Sequence, residues 1–347
     1  MKAIGFLHNG TIDRDDALID LSLPEPAPGA HDLLVEVRAV SVNPVDTKVR
    51  RNAMPPDGQA RILGYDAAGV VRAVGDAVTL FKPGDEVWYA GAIDRPGTNA
   101  ELHLVDERIV GRKPSSLSFA EAAALPLTAI TAWELLFDRL QIPQGQGAEG
   151  TGADATTPRD AILITGAAGG VGSILVQLAR QLTGLTVIGT ASRPETRDWV
   201  ASLGAHHVID HAQPLQPQLA AIGIPQVRYV ASLTHTDVHY DALVQALAPQ
   251  GRLGLIDDPA TPLDVMKLKG KALSLRWELM FTRSLHQTPD MIEQHRLLNA
   301  VAELVDGGRL RTTVGEHVGR IDAANLRRAH ALIESGRARG KLVLEGF

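Results

Sequence analysis

The sequence predicts an α/β protein in which a β-rich first part is followed by a doubly wound parallel sheet. Three observations predict it. From Ala161 onward strand-like and helix-like segments alternate, the pattern of a parallel sheet with helices on its faces. Up to about residue 125 the chain instead shows short alternating runs broken by turn residues. The full length of 347 residues exceeds what one ordinary core accommodates, so two domains are expected.

The elements follow in order. Met1–Phe6, Leu33–Val40 and Ala68–Gly75 read as strands, with Pro24, Pro26, Pro28, Gly29, Pro83 and Gly84 marking corners of a barrel-like domain. A helix is expected through Ala120–Leu125, resuming in Thr128–Arg139. Pro143–Pro158, rich in Gly, Pro and small polar residues, reads as a flexible surface loop. Strands are expected at 161–165, 186–191, 207–210, 227–233 and 252–257, the last as an exposed sheet edge. Helices are expected near 171–183, 194–203, 213–221 and 238–247, then at Met291–Gly307 and Asn325–Ser335, before a final strand Lys341–Glu345.

Composition narrows the function. Apolar residues make up 45% of the chain and charged residues 21%, as in a soluble globular protein. A net charge of −6 argues against a nucleic-acid partner, because phosphate binding rests on basic surface. The absence of cysteine excludes disulfides, thiolate zinc ligands and cysteine nucleophiles, and suits a reducing compartment. No apolar run approaches the roughly 18 residues that a bilayer span needs, and the N-terminus lacks a signal-peptide core. The sequence therefore reads as a cytoplasmic protein acting on a small molecule, with no membrane partner.

Its most informative stretch is Ile162-Leu163-Ile164-Thr165-Gly166-Ala167-Ala168-Gly169-Gly170-Val171-Gly172. A buried strand enters a glycine-rich turn and then a helix whose Val171, Ile174, Leu175 and Leu178 share one face. Glycines let the backbone approach a pyrophosphate closely, and amides at the helix N-terminus bind its charge. A second strand follows within the ~30 residues of a βαβ unit. The residue selecting the dinucleotide stands about 20 positions beyond the turn, where Asp or Glu accepts from a ribose 2′-hydroxyl. Here Ser192 and Arg193 stand there, with Arg197 one turn on, a hydroxyl and guanidinia suited to a 2′-phosphate. NADP(H) is the expected cofactor. Ser192 also suits a helix cap, and Glu195 is the one contrary residue, read as starting the next helix.

Ser41-Val42-Asn43-Pro44-Val45-Asp46, Gly64-Tyr65-Asp66-Ala67-Ala68-Gly69, Lys82-Pro83-Gly84-Asp85-Glu86-Val87, Leu125-Pro126-Leu127-Thr128-Ala129, the glycine turn and Gly340-Lys341-Leu342-Val343-Leu344 occur in that order. Together they resemble the medium-chain dehydrogenase/reductase superfamily, specifically its zinc-free quinone oxidoreductase branch, and within it a bacterial subgroup labelled zinc-type alcohol dehydrogenase-like. The resemblance implies a GroES-like catalytic domain (1–127) completed by a C-terminal segment (263–347), a Rossmann domain (128–262) between them, a substrate cleft between the two domains, and a homodimer. It places Asn43 and Thr128 near the nicotinamide end of the cofactor. Gly166, Ala168, Gly169, Gly170 and Val171 fall at the pyrophosphate, and Leu233 and Ile256, at the ends of the fourth and fifth strands, are expected to bind the cofactor as well. Tyr65 faces the substrate, and the proton donor stays open between Tyr65, Lys48 and water. Asp46 reads as an internal orienting carboxylate.

Zinc-dependent relatives place a Cys where this chain has Asn43 and a His where it has Tyr65, with Asp66 in place of the following Glu. Neither an amide nor a phenol is a usual zinc ligand. His235 and His239, spaced i, i+4, lack the accompanying glutamate of a zinc helix; His206, His207 and His211 read as loop histidines, and no metal is expected. Arg276–Phe281, aromatic in a chain with only 4% aromatic residues, is expected to line the acceptor pocket or a subunit interface. The expected activity is metal-independent hydride transfer from NADPH to a quinone or an α,β-unsaturated carbonyl. The alternatives are a zinc-dependent alcohol dehydrogenase and a non-catalytic NADPH-binding protein.

Overall fold

The computed structural model of the chain describes residues 1–55, 58–145 and 160–347, so most of the expected 143–158 loop lies outside the described residues. Two compact units emerge, one formed by Met1–Ile130 with Met280–Phe347 and the other by Thr131–Leu279.

The first unit contains β1 (Lys2–Phe6), β2 (Ile19–Ser22), β3 (Asp32–Val42), α1 (Pro44–Asn52), β4 (Arg61–Ile62), β5 (Ala67–Val74), β6 (Glu86–Tyr89), β7 (Leu102–Asp106), β8 (Val110–Arg112), α2 (Phe119–Ala123) and the start of α3 (Pro126–Trp133). The second holds β9 (Ala161–Ile164), α4 (Gly170–Leu182), β10 (Thr186–Thr190), α5 (Pro194–Ser202), β11 (His207–Ile209), α6 (Leu215–Ala221), β12 (Val227–Ser232), α7 (Thr236–Ala246), β13 (Leu247–Leu255) and β14 (Ser274–Trp277). The chain then returns to the first unit with α8 (Thr282–Leu285), α9 (Glu293–Asp306), β15 (Val314–Gly319), α10 (Ala323–Glu334) and β16 (Lys341–Glu345).

In the first unit β3 is the organising strand. Leu33, Val35 and Val37 alternate inward, and from Ala39 to Val42 every side chain is buried. β3 has neighbours on both sides along most of its length, β5 on one and β7 then β16 on the other, all antiparallel, so the change of pattern reflects cover on both faces of its second half. The register Leu342↔Val42 and Val343↔Ser41 brings the start of β16 beside Asn43. The sheet runs β15-β16-β3-β5-β6-β8, with β7 also pairing with β3.

The second unit is a six-stranded sheet of order β11-β10-β9-β12-β13-β14, every neighbouring pair parallel. Its core packs Leu163, Ile188, Val230, Leu253 and Leu255 against Tyr240, Leu243 and Leu247. The α/β doubly wound architecture beside a β-rich unit agrees with the sequence expectation.

Three expectations need correction. The sheet edge is β14, not the 252–257 strand, because Arg252–Leu255 pairs in parallel with Ser274–Trp277. The aromatic content of Arg276–Phe281 hid that strand, which lies within the second compact unit, Thr131–Leu279. Ser192 does not cap α5, since Arg193 occupies the N-cap position. Finally, one helical stretch among the described residues, Phe119–Arg139, is long and apolar enough to cross a bilayer, and 83% of its most apolar window is buried inside the protein. It reads as a core helix, and its last turn, Glu134–Arg139, is π-helical.

Candidate functional site

In the second unit the glycine turn links β9 to α4. Gly166 adopts φ +64°, a left-handed conformation open to glycine, and a Cβ there would meet Thr234 Cγ2 at 2.9 Å. Gly172 is required by packing, because a Cβ would lie 2.4 Å from the Gly166 carbonyl oxygen. Gly169 differs. It is the N-cap of α4, and a Cβ would touch only the Gly166 oxygen, at 3.4 Å. The turn thus presents a partly exposed backbone face at Ala168, Gly169, Gly170 and Val171, next to first-turn amides that have no partner within the helix.

At the end of β10, Ser192 is exposed, and Arg193 Nε lies 3.3 Å from Glu195 Oε1 in a solvent-exposed pair. Arg197 donates to the Val208 carbonyl at 3.2 Å. No carboxylate stands at the strand terminus itself; Glu195 lies in the first turn of α5. The ends of β9, β12 and β13, near Leu233 and Ile256, are tied by hydroxyls. Thr165 Oγ1 accepts from Leu233 N at 3.0 Å, Ser232 and Thr236 hydroxyls meet at 2.7 Å, and Asp257 accepts from Thr236 N at 2.9 Å. Asp257 thereby serves α7 from another strand, while its local N-cap residue, His235, sits at φ +51° and caps nothing.

In the first unit the residues at 43, 65 and 66 form a buried polar cluster. Asp66 is fully buried, and its Oδ2 accepts from Ser41 Oγ (2.8 Å), Asn43 Nδ2 (2.7 Å) and Lys341 Nζ (2.9 Å). Its Oδ1 accepts from Leu127 N at 2.8 Å, so the carboxylate also meets the positive end of α3. Lys341 Nζ donates in addition to Val42 O at 3.2 Å and to Asn43 Oδ1. Asp46 accepts from Asn43 N (2.7 Å) and from Gly64 N (3.0 Å), and burial pushes its carboxyl up to about 7. It is an orienting group, in line with the sequence expectation.

Tyr65 is 1% exposed and packs edge-on against Phe281, ring centroids 5.4 Å apart. Its hydroxyl makes no well-formed hydrogen bond among the described residues, with the Arg61 side chain as a polar neighbour, and burial, followed by the Asp46 charge, pushes it up to about 12. The phenol is therefore a neutral donor at every physiological pH. Thr128, also buried, donates its hydroxyl to the Leu125 carbonyl at 3.0 Å. Lys48 sits apart, on the exposed face of α1. Of Arg276–Phe281, Phe281 reaches Tyr65, whereas Trp277 and Leu279 are about half exposed.

A zinc ion does not fit the donors at 43, 65 and 66. Both ends of the Asn43 amide and both oxygens of the Asp66 carboxylate are engaged, and Lys341 brings a positive charge to the same point. Among the described residues no group of three or more His, Cys, Asp or Glu is arranged to hold a metal ion. Sequence reasoning missed Lys341; its signal was a lysine opening an otherwise apolar terminal strand.

Comparison with known proteins gives the family, and several of the matched descriptions name zinc, which the donors at 43, 65 and 66 do not fit. Residues 29–131 match the alcohol dehydrogenase GroES-like domain, and residues 203–344 match the zinc-binding dehydrogenase family. A zinc-type alcohol dehydrogenase-like protein of Staphylococcus epidermidis is 38% identical over 99% of both chains. A solved structure from Rhizobium etli, described as a zinc-dependent alcohol dehydrogenase protein, is 60% identical with a TM-score of 0.93, covering 100% of this chain and 98% of that one. The Escherichia coli quinone oxidoreductase complexed with NADPH is 25% identical over 100% of both chains, with a TM-score of 0.82. The chain belongs to the medium-chain dehydrogenase/reductase superfamily of oxidoreductases.

Proposed function

We propose that this protein is an NADPH-dependent, metal-independent reductase of quinones or α,β-unsaturated carbonyl compounds. The observation that carries the reading is the substitution of a metal-ligand set by a closed Asn43–Asp66–Lys341 cluster beside a buried phenol, Tyr65, that makes no well-formed hydrogen bond. Without a metal-held alkoxide, alcohol oxidation is poorly served, whereas reduction of a conjugated acceptor lets negative charge delocalise before a proton arrives.

The glycine turn fits a dinucleotide, because the face beyond Gly169 is open to a diphosphate. Ser192, Arg193 and Arg197 would hold a 2′-phosphate, and Asn43 and Thr128 would position the nicotinamide end. When bound, NADPH supplies the hydride. Tyr65 would hydrogen-bond the acceptor oxygen as charge develops there, and the proton comes from Tyr65, Lys48 or water. Resemblance to the NADPH-bound quinone oxidoreductase supports both cofactor and substrate class.

The test is a screen of quinones and short enals, followed by NADPH absorbance, with metal analysis of the purified protein. Turnover without bound metal is expected; stoichiometric zinc whose chelation abolishes activity would overturn the reading. Cofactor choice has its own check. Losing a charge-assisted contact costs roughly 1.5–3 kcal/mol, so Arg193→Ala should weaken NADPH binding and leave NADH binding unchanged. Equal losses for both cofactors would reject the assignment.

A further inference from the structure

Lys341 is 2% exposed, and nothing in a β-strand requires a buried ammonium there. Its three donors find three acceptors: Val42 O, Asp66 Oδ2 and Asn43 Oδ1. Asp66 in turn takes Asn43 Nδ2 on the same oxygen that pairs with Lys341. The Asn43 carboxamide therefore lies between a cation that takes its oxygen and an anion that takes its nitrogen. Turning the amide over would set Nδ2 against the ammonium and Oδ1 against the carboxylate, two repulsive contacts in place of two attractive ones. A carboxamide has two N–H groups and two lone pairs. The oxygen also accepts from the first turn of α1, at the Asp46 N–H, so one N–H remains for a ligand, and the charged pair decides which way it points.

We propose that Lys341 is a positioning residue: its ammonium, paired with Asp66, locks the Asn43 side chain in one sense and so sets the hydrogen-bonding face that Asn43 offers to a bound nicotinamide nucleotide. The proposal rests on the reductase reading for its consequence in turnover, but the lock itself is a property of the unliganded chain. Residue 341 lies 275 positions from Asp66, and the antiparallel pairing of β16 with β3 delivers it.

The test uses the full-length protein labelled with ¹⁵N-asparagine, the Asn43 side-chain pair being identified by its loss in Asn43→Ala. In wild type that pair is expected to exchange with solvent slowly. The variants are Lys341→Arg, which keeps the charge, and the double substitution Lys341→Met with Asp66→Asn, which removes both charges and strands neither. The double variant should exchange the Asn43 amide at least ~10-fold faster, while kcat/KM falls on the order of 10²-fold, the scale of a small misplacement. Lys341→Arg should stay close to wild type in both. A merely structural role would lower Tm without moving the exchange of this one amide. A folded double variant whose Asn43 amide remains as protected as in wild type overturns the proposal. Should the variants not fold, wild type decides alone, because an Asn43 amide exchanging like that of an exposed asparagine overturns it too. If wild type reduces no quinone or enal, the reductase reading falls, and the exchange difference still upholds the lock.

Discussion

In the proposed reaction Tyr65 concentrates the chemistry in one atom. A buried hydroxyl without a well-formed hydrogen bond costs free energy, up to about 1–3 kcal/mol, and a substrate oxygen would relieve that cost. Burial and the Asp46 charge keep the phenol protonated, so it acts as a donor rather than as a base. Such a donor, when preorganised, is worth roughly 10²–10³ in rate. A quinone spreads its developing charge over the ring and needs the donor less than an enal does. Tyr65→Phe should therefore lower kcat for an enal more than for a quinone and leave NADPH affinity unchanged. Steady-state rates on both substrates check this, and wild-type rates on both would make Tyr65 only a wall. At this scale the sequence was legible where chemistry follows from local motifs. Asn43, Tyr65 and Asp46 could be named as candidates because each stands in a short pattern with chemistry of its own. Lys341 did not, because its partners are distant in sequence and only strand pairing joins them. The Arg193–Glu195 pair is exposed on both sides, so it contributes little to stability.

Secondary-structure elements carry two further tests. The glycine turn separates binding from folding. Gly169→Val should fold and lose NADPH binding, because its side chain projects into the face the diphosphate needs. Gly172→Ala should lose stability by about 1–3 kcal/mol, as an overpacked core position does, because its Cβ has backbone at 2.4 Å. Titration of NADPH against the first variant and thermal melts of the second distinguish the roles; an unchanged titration for Gly169→Val would displace the diphosphate from this turn. The π-helical turn at the end of α3 sets the second test. Glu134 and Glu278 are both buried, and Arg139 is shared between them, 2.8 Å from Glu278 and 3.7 Å from Glu134. Burial, reinforced by the Glu134 charge, pushes the Glu278 carboxyl well above its ordinary 4.5. A carboxyl raised on folding holds its proton more tightly in the native state. Its stabilising contribution is complete below pH 4.5 and is lost as pH rises toward the folded value. Glu278→Gln should therefore raise Tm at alkaline pH and flatten its fall with pH. A variant with the same pH dependence as wild type would show that the pair is ionised without cost. The strand carrying Trp277 was not legible because aromatic residues and a charged pair interrupt its pattern, and what makes it a strand is a partner more than twenty residues earlier, Arg252–Leu255.

At the scale of the whole molecule, the placement of β14 decides how two copies would meet. The doubly wound sheet was legible from the alternation of strands and helices alone, since each β–α–β step carries its own local signal. The edge was not, because which strand lies outermost depends on a pairing that the order along the chain does not reveal. In the structure β14 pairs with β13 on one side, and its outer side pairs with no strand among the described residues. Trp277 is 51% exposed and Leu279 52% exposed beside it. A bare sheet edge flanked by large apolar side chains invites addition of another strand, and a symmetric homodimer satisfies both edges at once. We expect the 37.0 kDa chain to scatter light as a dimer at micromolar concentration. Trp277→Lys places a charge at that edge and should return the mass to that of a monomer without lowering NADPH affinity. A monomeric wild type would refute the dimer. A Trp277→Lys protein that stays dimeric would move the interface away from β14.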